Sequence, residues 1–213
     1  QRSRFLMKTT DISRIVNEHK SGIIGRHKCF SVVIPMIDID GELHILYEVR
    51  SPKIKRQPGE ICFPGGEREP GETDIECALR ETSEELCIDT DDIFVIGEVG
   101  TLFTYGGYVI KAYAVQIDRE TIENATPSES EVSELFTVPL DFFLSNEPRE
   151  YYSYAKQEIQ ENFPLELIGF PDGYKWASAK TEVPIYVYDK YVIWGITGRI
   201  TRYFANMLKN SSI

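Results

Sequence analysis

The chain has 213 residues, 34 of them acidic against 23 basic, for a formal net charge of −11 at pH 7. That length suits one domain with a sizeable core. The acidic balance argues against nucleic-acid binding through broad electrostatics, but it leaves room for a local basic pocket that takes a small anion.

The first twenty residues, QRSRFLMKTTDISRIVNEHK, contain no apolar signal core. Thr10 or Asp11 is placed to cap a short helix over 11–20, within an N-terminal helical extension spanning 1–28. CFSVVIPMI (29–37) is β-branched and apolar, so it predicts a strand. Asp40-Gly41 signals a hairpin turn, and ELHILYEVR (42–50) is the returning strand. Residues 51–60, with Pro52, Pro58 and Gly59, predict a loop, followed by a short strand at 61–63. An acidic helix is expected over 73–86, capped by Thr73 or Asp74. Strands are expected at 94–104 and 108–118, a polar loop at 123–131, and a strand running into Pro139 and a short helix. Residues 146–182, broken by Pro148, Pro164 and Pro171, read as an irregular insertion. A hairpin about Asp189-Lys190 and an amphipathic helix over 195–209 complete the chain.

No apolar run reaches 18 residues, so no transmembrane span is expected. Cys29, Cys62, Cys77 and Cys87 are scattered with no C-x-x-C pairing. They read as reduced, mostly buried thiols, and a cytoplasmic location is the default. Mixed strands and helices without a linker or repeat indicate a single α/β domain over 1–213.

The densest signal lies in GEREPGETDIECALRETSEELCI (66–88). Glu81, Glu84 and Glu85 fall at i, i+3 and i+4, which gathers three carboxylates on one side of a helix. Acidic clusters on helices are usually solvated faces. A divalent cation would turn their mutual repulsion into attraction, and hard cations prefer oxygen ligands. Gly65-Gly66 lets the backbone turn tightly and approach a ligand. Arg80 is placed to orient Glu84 or Glu72, with a plain surface ion pair as the alternative. Magnesium fits a site of a few carboxylates plus substrate phosphates, and the reaction class that follows is hydrolysis of a phosphoanhydride.

The segment resembles the Nudix box, in which Gly, Glu, Arg-Glu and Glu-Glu recur at fixed spacing before a Gly-aliphatic pair. Gly66, Glu72, Arg80, Glu81, Glu84, Glu85 and Ile88 fit, while Thr82 replaces an aliphatic residue and Cys87 replaces the second Gly. The resemblance implies an α/β/α sandwich around a mixed β-sheet, with Mg2+ or Mn2+ as cofactor. It also implies that Glu81 and Glu85 hold the metal, joined by Glu84 and the Gly65 carbonyl, with Arg80, Glu81 and Glu84 forming the catalytic set. The general base varies between branches. Glu84 and an acid among Glu129, Glu131 and Glu134 are the candidates, the latter three being equally readable as surface acids.

Upstream, RSPKIKRQPGEICFPGG (50–66) is similar to the segment that precedes the box in the coenzyme A diphosphatase branch. Arg50, Ser51, Gly59, Phe63, Pro64, Gly65 and Gly66 fit. Lys55 stands in place of an Arg, keeping the charge but losing the bidentate fork. EVSELFTVPLDFFL (131–144) and IWGITGRI (193–200) are weaker echoes of the same branch. The resemblance implies cleavage of coenzyme A or a derivative to 4′-phosphopantetheine and adenosine 3′,5′-bisphosphate, with Arg50, Ser51, Lys55, Gly59 and Phe63 on the substrate. Tyr105, Tyr108 and Phe103 are candidates to stack on adenine or line the pantetheine path; Trp194 reads as a packing residue. The competing readings are another nucleoside diphosphate substrate, such as ADP-ribose, and a binding module without turnover. Related hydrolases often dimerise, and the sequence leaves the oligomeric state open.

Overall fold

The computed structural model describes residues 7–19 and 22–211; residues 1–6 and Lys20-Ser21 of the expected N-terminal extension lie outside that range. Strands β1 (Lys28–Ile39) and β2 (Glu42–Arg50) form a hairpin through Asp40-Gly41. Both turn residues have positive φ, 56° and 90°, as a two-residue turn that matches strand twist demands. Strand β3 (Ile61–Cys62) pairs with β2 and β4 (Gly65–Glu67) with β1. Helix α2 (Asp74–Leu86) follows, then β5 (Ile93–Phe103) and β6 (Tyr108–Ile117). β6 runs parallel to β1, whereas β7 (Val132–Pro139) adds to β2 antiparallel. The result is a mixed seven-stranded sheet.

Alternation along β1 sends Val33 and Ile37 to one face and Ile34 to the other. The first face packs under α2 with Leu46, Ala78 and Leu86. The second packs Ile34, Ile45 and Tyr47 against α4 (Leu140–Ser145) and α5 (Gly195–Asn210), through Phe143 and Phe204. Helices on both faces of a mixed sheet make the expected α/β/α sandwich.

Residues 146–182 are more regular than expected. Strand β8 (Arg149–Ala155) pairs with β9 (Ala179–Tyr188), from Arg149↔Ile185 to Ala155↔Ala179, and β10 (Tyr191–Ile193) completes a second, antiparallel sheet. β8 left little trace in the sequence because six of its seven residues are exposed, so it carries no alternation. A short helix, α3 (Arg119–Asn124), overlaps the start of the expected 123–131 loop and has no buried residue. Helix α1 (Thr9–Glu18) starts two residues ahead of the expected position.

Helix α2 begins where a capping box predicts: the Thr73 side chain accepts from the Glu76 N–H, and Glu76 reaches back to the Thr73 N–H. Asp74 and Glu76 in its first turn suit the positive end of the helix dipole. It ends at Cys87, which takes the left-handed conformation (φ 53°, ψ 49°) that Gly would adopt without strain. Of the four cysteines only Cys77 is buried, and Cys87 is exposed, which corrects the reading of mostly buried thiols.

Candidate active site

Two residues of β4 bring the backbone against α2. At Gly65 (φ +142°) a Cβ would sit 2.2 Å from the Ser31 carbonyl oxygen and 2.6 Å from the Val32 Cα. At Gly66 it would sit 2.2 Å from the Glu81 carboxyl carbon. The missing side chain of Gly66 therefore lets the Glu81 carboxylate lie on the main chain, and that of Gly65 lets β4 sit close against β1. One turn later Glu85, 5% exposed, accepts the Gly65 N–H at 2.8 Å.

Glu81 and Glu85 thus face the same pair of glycines, but Glu84 does not. Its side chain is 59% exposed and accepts from Arg80 Nη1 at 3.3 Å. Neighbours on a helix diverge by about 100°, so Glu84 stands on the flank while Glu85 points inward. Arg80 bonds Glu72 with Nε (3.1 Å) and Nη2 (3.0 Å), and Nη1 reaches Glu81 at 2.8 Å. The fork holds the Glu72 carboxyl down at about 2. Burial, by contrast, raises the pKa of both Glu81 and Glu85.

An acid that the sequence reasoning missed lies beneath them. Glu48 on β2 is fully buried; the Cys62 thiol donates to its Oε1 at 3.0 Å, and its Oε2 has no partner among the described residues. Burial first, and then the charge of Glu48, raises Glu85. The available signal was a lone acid inside the apolar run HILYEV. Arg50 Nη1 contacts the Cys62 sulfur at 3.8 Å.

These groups open into a cavity of about 700 Å3. Its charged lining residues include Arg50, Arg56, Glu81, Glu85 and Glu131, and its apolar ones include Phe30, Phe63, Tyr108, Ile110 and Trp194. Of the expected substrate residues, Arg50 and Phe63 reach it. Ser51 does not: it is buried, and its hydroxyl donates to the Glu129 carbonyl at 3.2 Å. Its N–H donates to the Glu131 carbonyl at 2.7 Å, so Ser51 positions Glu131. Lys55 is outside the lining, because Ile54 and Arg56 on either side of it turn inward. Gly59 borders a neighbouring hollow instead. Phe103 and Tyr105 are exposed and away from the cavity, while Tyr108 lines it. Glu134 is taken by Lys190 (2.8 Å) and Tyr191 (2.6 Å).

The NUDIX domain family model matches residues 27–157, which hold both glycines, α2 and Glu131. The chain belongs to the Nudix family. It is 34% identical over 144 residues to the peroxisomal coenzyme A diphosphatase NUDT7 of Mus musculus, an alignment covering 67% of this chain and 59% of that protein. With Nudix hydrolase 3 of Caenorhabditis elegans it shares 33% over 117 residues, covering 54% and 49%. With the mitochondrial coenzyme A diphosphatase NUDT8 of Homo sapiens it shares 23% over 180 residues, covering 84% and 68%. The chain therefore spans about half to three-fifths of the length of the mouse and worm proteins. Two of these names carry an organelle, so the cytoplasmic default gains no support from them. No helix among the described residues is long and apolar enough to cross a membrane.

Nudix hydrolases generally use divalent metals, and the residues here fit one. The donors are all oxygen, as a hard cation requires. Two of them are the Glu81 and Glu85 carboxylates; Glu85 is buried without an ion-pair partner among the described residues, which calls for positive charge, and Glu48 adds an unpaired buried oxygen below. Among the described residues no three acid, His or Cys side chains close into a cage, and magnesium takes one or two carboxylates together with substrate phosphates.

Proposed function

We propose that the chain hydrolyses the pyrophosphate bond of coenzyme A or a derivative with Mg2+ or Mn2+, releasing 4′-phosphopantetheine and adenosine 3′,5′-bisphosphate. One observation carries the reading: Glu81 and Glu85 meet Gly65-Gly66 in a cavity whose wall also holds Arg50 and Arg56. The RSPKIKRQPGEICFPGG segment and the names of the mouse and human relatives support coenzyme A in particular.

In this reading Glu81 and Glu85 hold the cation, with the Gly65 carbonyl completing the set, while Glu84 stays outside it on the exposed flank of the helix. When bound, the cation supplies positive charge against the diphosphate and acidifies nearby water. Arg80 keeps Glu81 in place while tying it to Glu72. Arg50 meets phosphate oxygens of the diphosphate and offsets the charge that develops on them. Glu131 lines the cavity, unlike Glu129 and Glu134, and takes the proton of the attacking water. One P–O bond forms to that water, and the bridging P–O bond breaks. Two phosphomonoesters leave.

Chromatography of products tests this. Coenzyme A, dephospho-coenzyme A and ADP-ribose are incubated separately with the protein and Mg2+ or Mn2+, or with excess chelator. Metal-dependent release of adenosine 3′,5′-bisphosphate, with coenzyme A preferred, is expected. Preference for ADP-ribose would keep the chemistry and overturn the substrate.

A further inference from the structure

Trp194 is the residue just before α5 and lies outside the segment matched by the family model. It is 46% exposed, although Ile193 before it is fully buried. Its side chain borders two hollows: the catalytic cavity and a shallower one of about 380 Å3, lined also by Pro58, Gly59 and Glu60. The residue is held in place. Thr197 Oγ donates to the Ile61 carbonyl at 2.9 Å, fastening the first turn of α5 to β3. One turn along the same helix, Gly198 sits where a Cβ would meet the Pro184 carbonyl at 2.7 Å. A large aromatic group on a fixed support, half in water at a cavity mouth, is a stacking platform.

A cation lines the same cavity. Arg56 lines the cavity and stands two residues before Pro58, which shares the second hollow with Trp194. It makes no ion pair among the described residues. Glu60, which lines both hollows, accepts from the Gln57 amide at 2.8 Å and forms no ion pair with Arg56. Another stretch of the lining, Phe30, Tyr108 and Ile110, carries no cation; Phe30 and Tyr108 pack edge to face at 5.3 Å. The cavity lining therefore holds an aromatic platform and a cation without an ion-pair partner among the described residues, together with an uncharged apolar stretch.

We propose that Trp194 stacks the adenine of the substrate while Arg56 binds the 3′-phosphate of its ribose. The adenosine half then lies on the α5 side of the cavity, and the pantetheine half runs along Phe30 and Tyr108. This orientation rests on the coenzyme A reading above.

The chain has two tryptophans, so Trp176→Phe leaves Trp194 as the sole indole emitter. Its fluorescence is titrated in the presence of Mg2+ with adenosine 3′,5′-bisphosphate, with adenosine 5′-monophosphate, and with 4′-phosphopantetheine. Saturable quenching by the bisphosphate and none by the pantetheine half is expected. In the same background, Arg56→Gln should abolish the preference for the bisphosphate over the monophosphate. In steady-state assays, Trp194→Ala should raise KM for coenzyme A about 10-fold, with Trp194→Phe restoring most of it. Quenching by 4′-phosphopantetheine instead, no quenching at all, or an unchanged KM in Trp194→Ala would overturn the proposal. Binding is read without turnover, so quenching by the bisphosphate in a protein that leaves coenzyme A intact would count against the proposed reaction and not against this orientation.

Discussion

Arg80 holds both carboxylate oxygens of Glu72, through Nε at 3.1 Å and Nη2 at 3.0 Å. Its remaining nitrogen reaches Glu81 at 2.8 Å, so one guanidinium joins the loop before α2 to a carboxylate in the cavity. A lysine carries the charge but has no planar fork with which to do both. Arg80→Lys is expected to lower kcat roughly 10- to 100-fold, the usual cost of losing a group that orients a ligand. Steady-state kinetics check it; wild-type rates in the variant would remove that role from Arg80.

The same pair sets an acid-side dependence. The bonds from Arg80, and then that from the Glu69 N–H, depress Glu72 from 4.5 to about 2. A depressed carboxyl contributes its stability in full above its unfolded pKa, near 4.5, and loses it as pH falls toward 2. Thermal melts of Glu72→Gln should therefore fall off less steeply than wild type below about pH 5. Parallel pH profiles for the two proteins would contradict this.

Gly65 and Gly66 adjoin but should fail differently. An alanine at Gly65 meets fixed backbone of β1 and a positive φ, which costs about 3 kcal/mol and lowers Tm by roughly 6–12 °C. An alanine at Gly66 meets only the end of the Glu81 side chain, which can swing away. Gly66→Ala should keep Tm near wild type and lose most of its activity. Melting curves paired with turnover assays separate the two; equal stability losses would refute the distinction.

Glu85 is buried with the Gly65 N–H as its hydrogen-bond donor, and Glu48 lies close enough to raise it further. Removing its charge relieves that burial. Glu85→Gln is expected to hold or raise Tm while lowering kcat at least about 100-fold. Retained turnover would exclude Glu85 from holding the cation.

Cys87 ends α2 with φ 53°, a conformation that costs a residue with a Cβ about 1 kcal/mol. Cys87→Gly should raise Tm by roughly 2–4 °C without changing kinetics, because the side chain is exposed and lies away from the cavity lining. A lower melting temperature would show that the weak bond from its sulfur to the Glu84 carbonyl (3.5 Å) outweighs the backbone strain.

What the sequence by itself determined is what neighbours along the chain can encode. The Asp40-Gly41 turn, the Thr73–Glu76 capping box and the glutamate spacing on α2 each depend on residues within one or two turns, and each is present in the fold. Tertiary structure alone decided which of these groups share a space. It turned Glu84 outward beside Glu85, brought Glu48 and Glu131 from distant elements under and beside α2, and chose Arg56 over Lys55 for the cavity. It also paired β8 with a strand more than twenty residues away and set Trp194 at the cavity mouth. Such contacts join residues far apart in the chain, and their geometry follows from how the two faces of the sheet are packed, which local spacing does not carry.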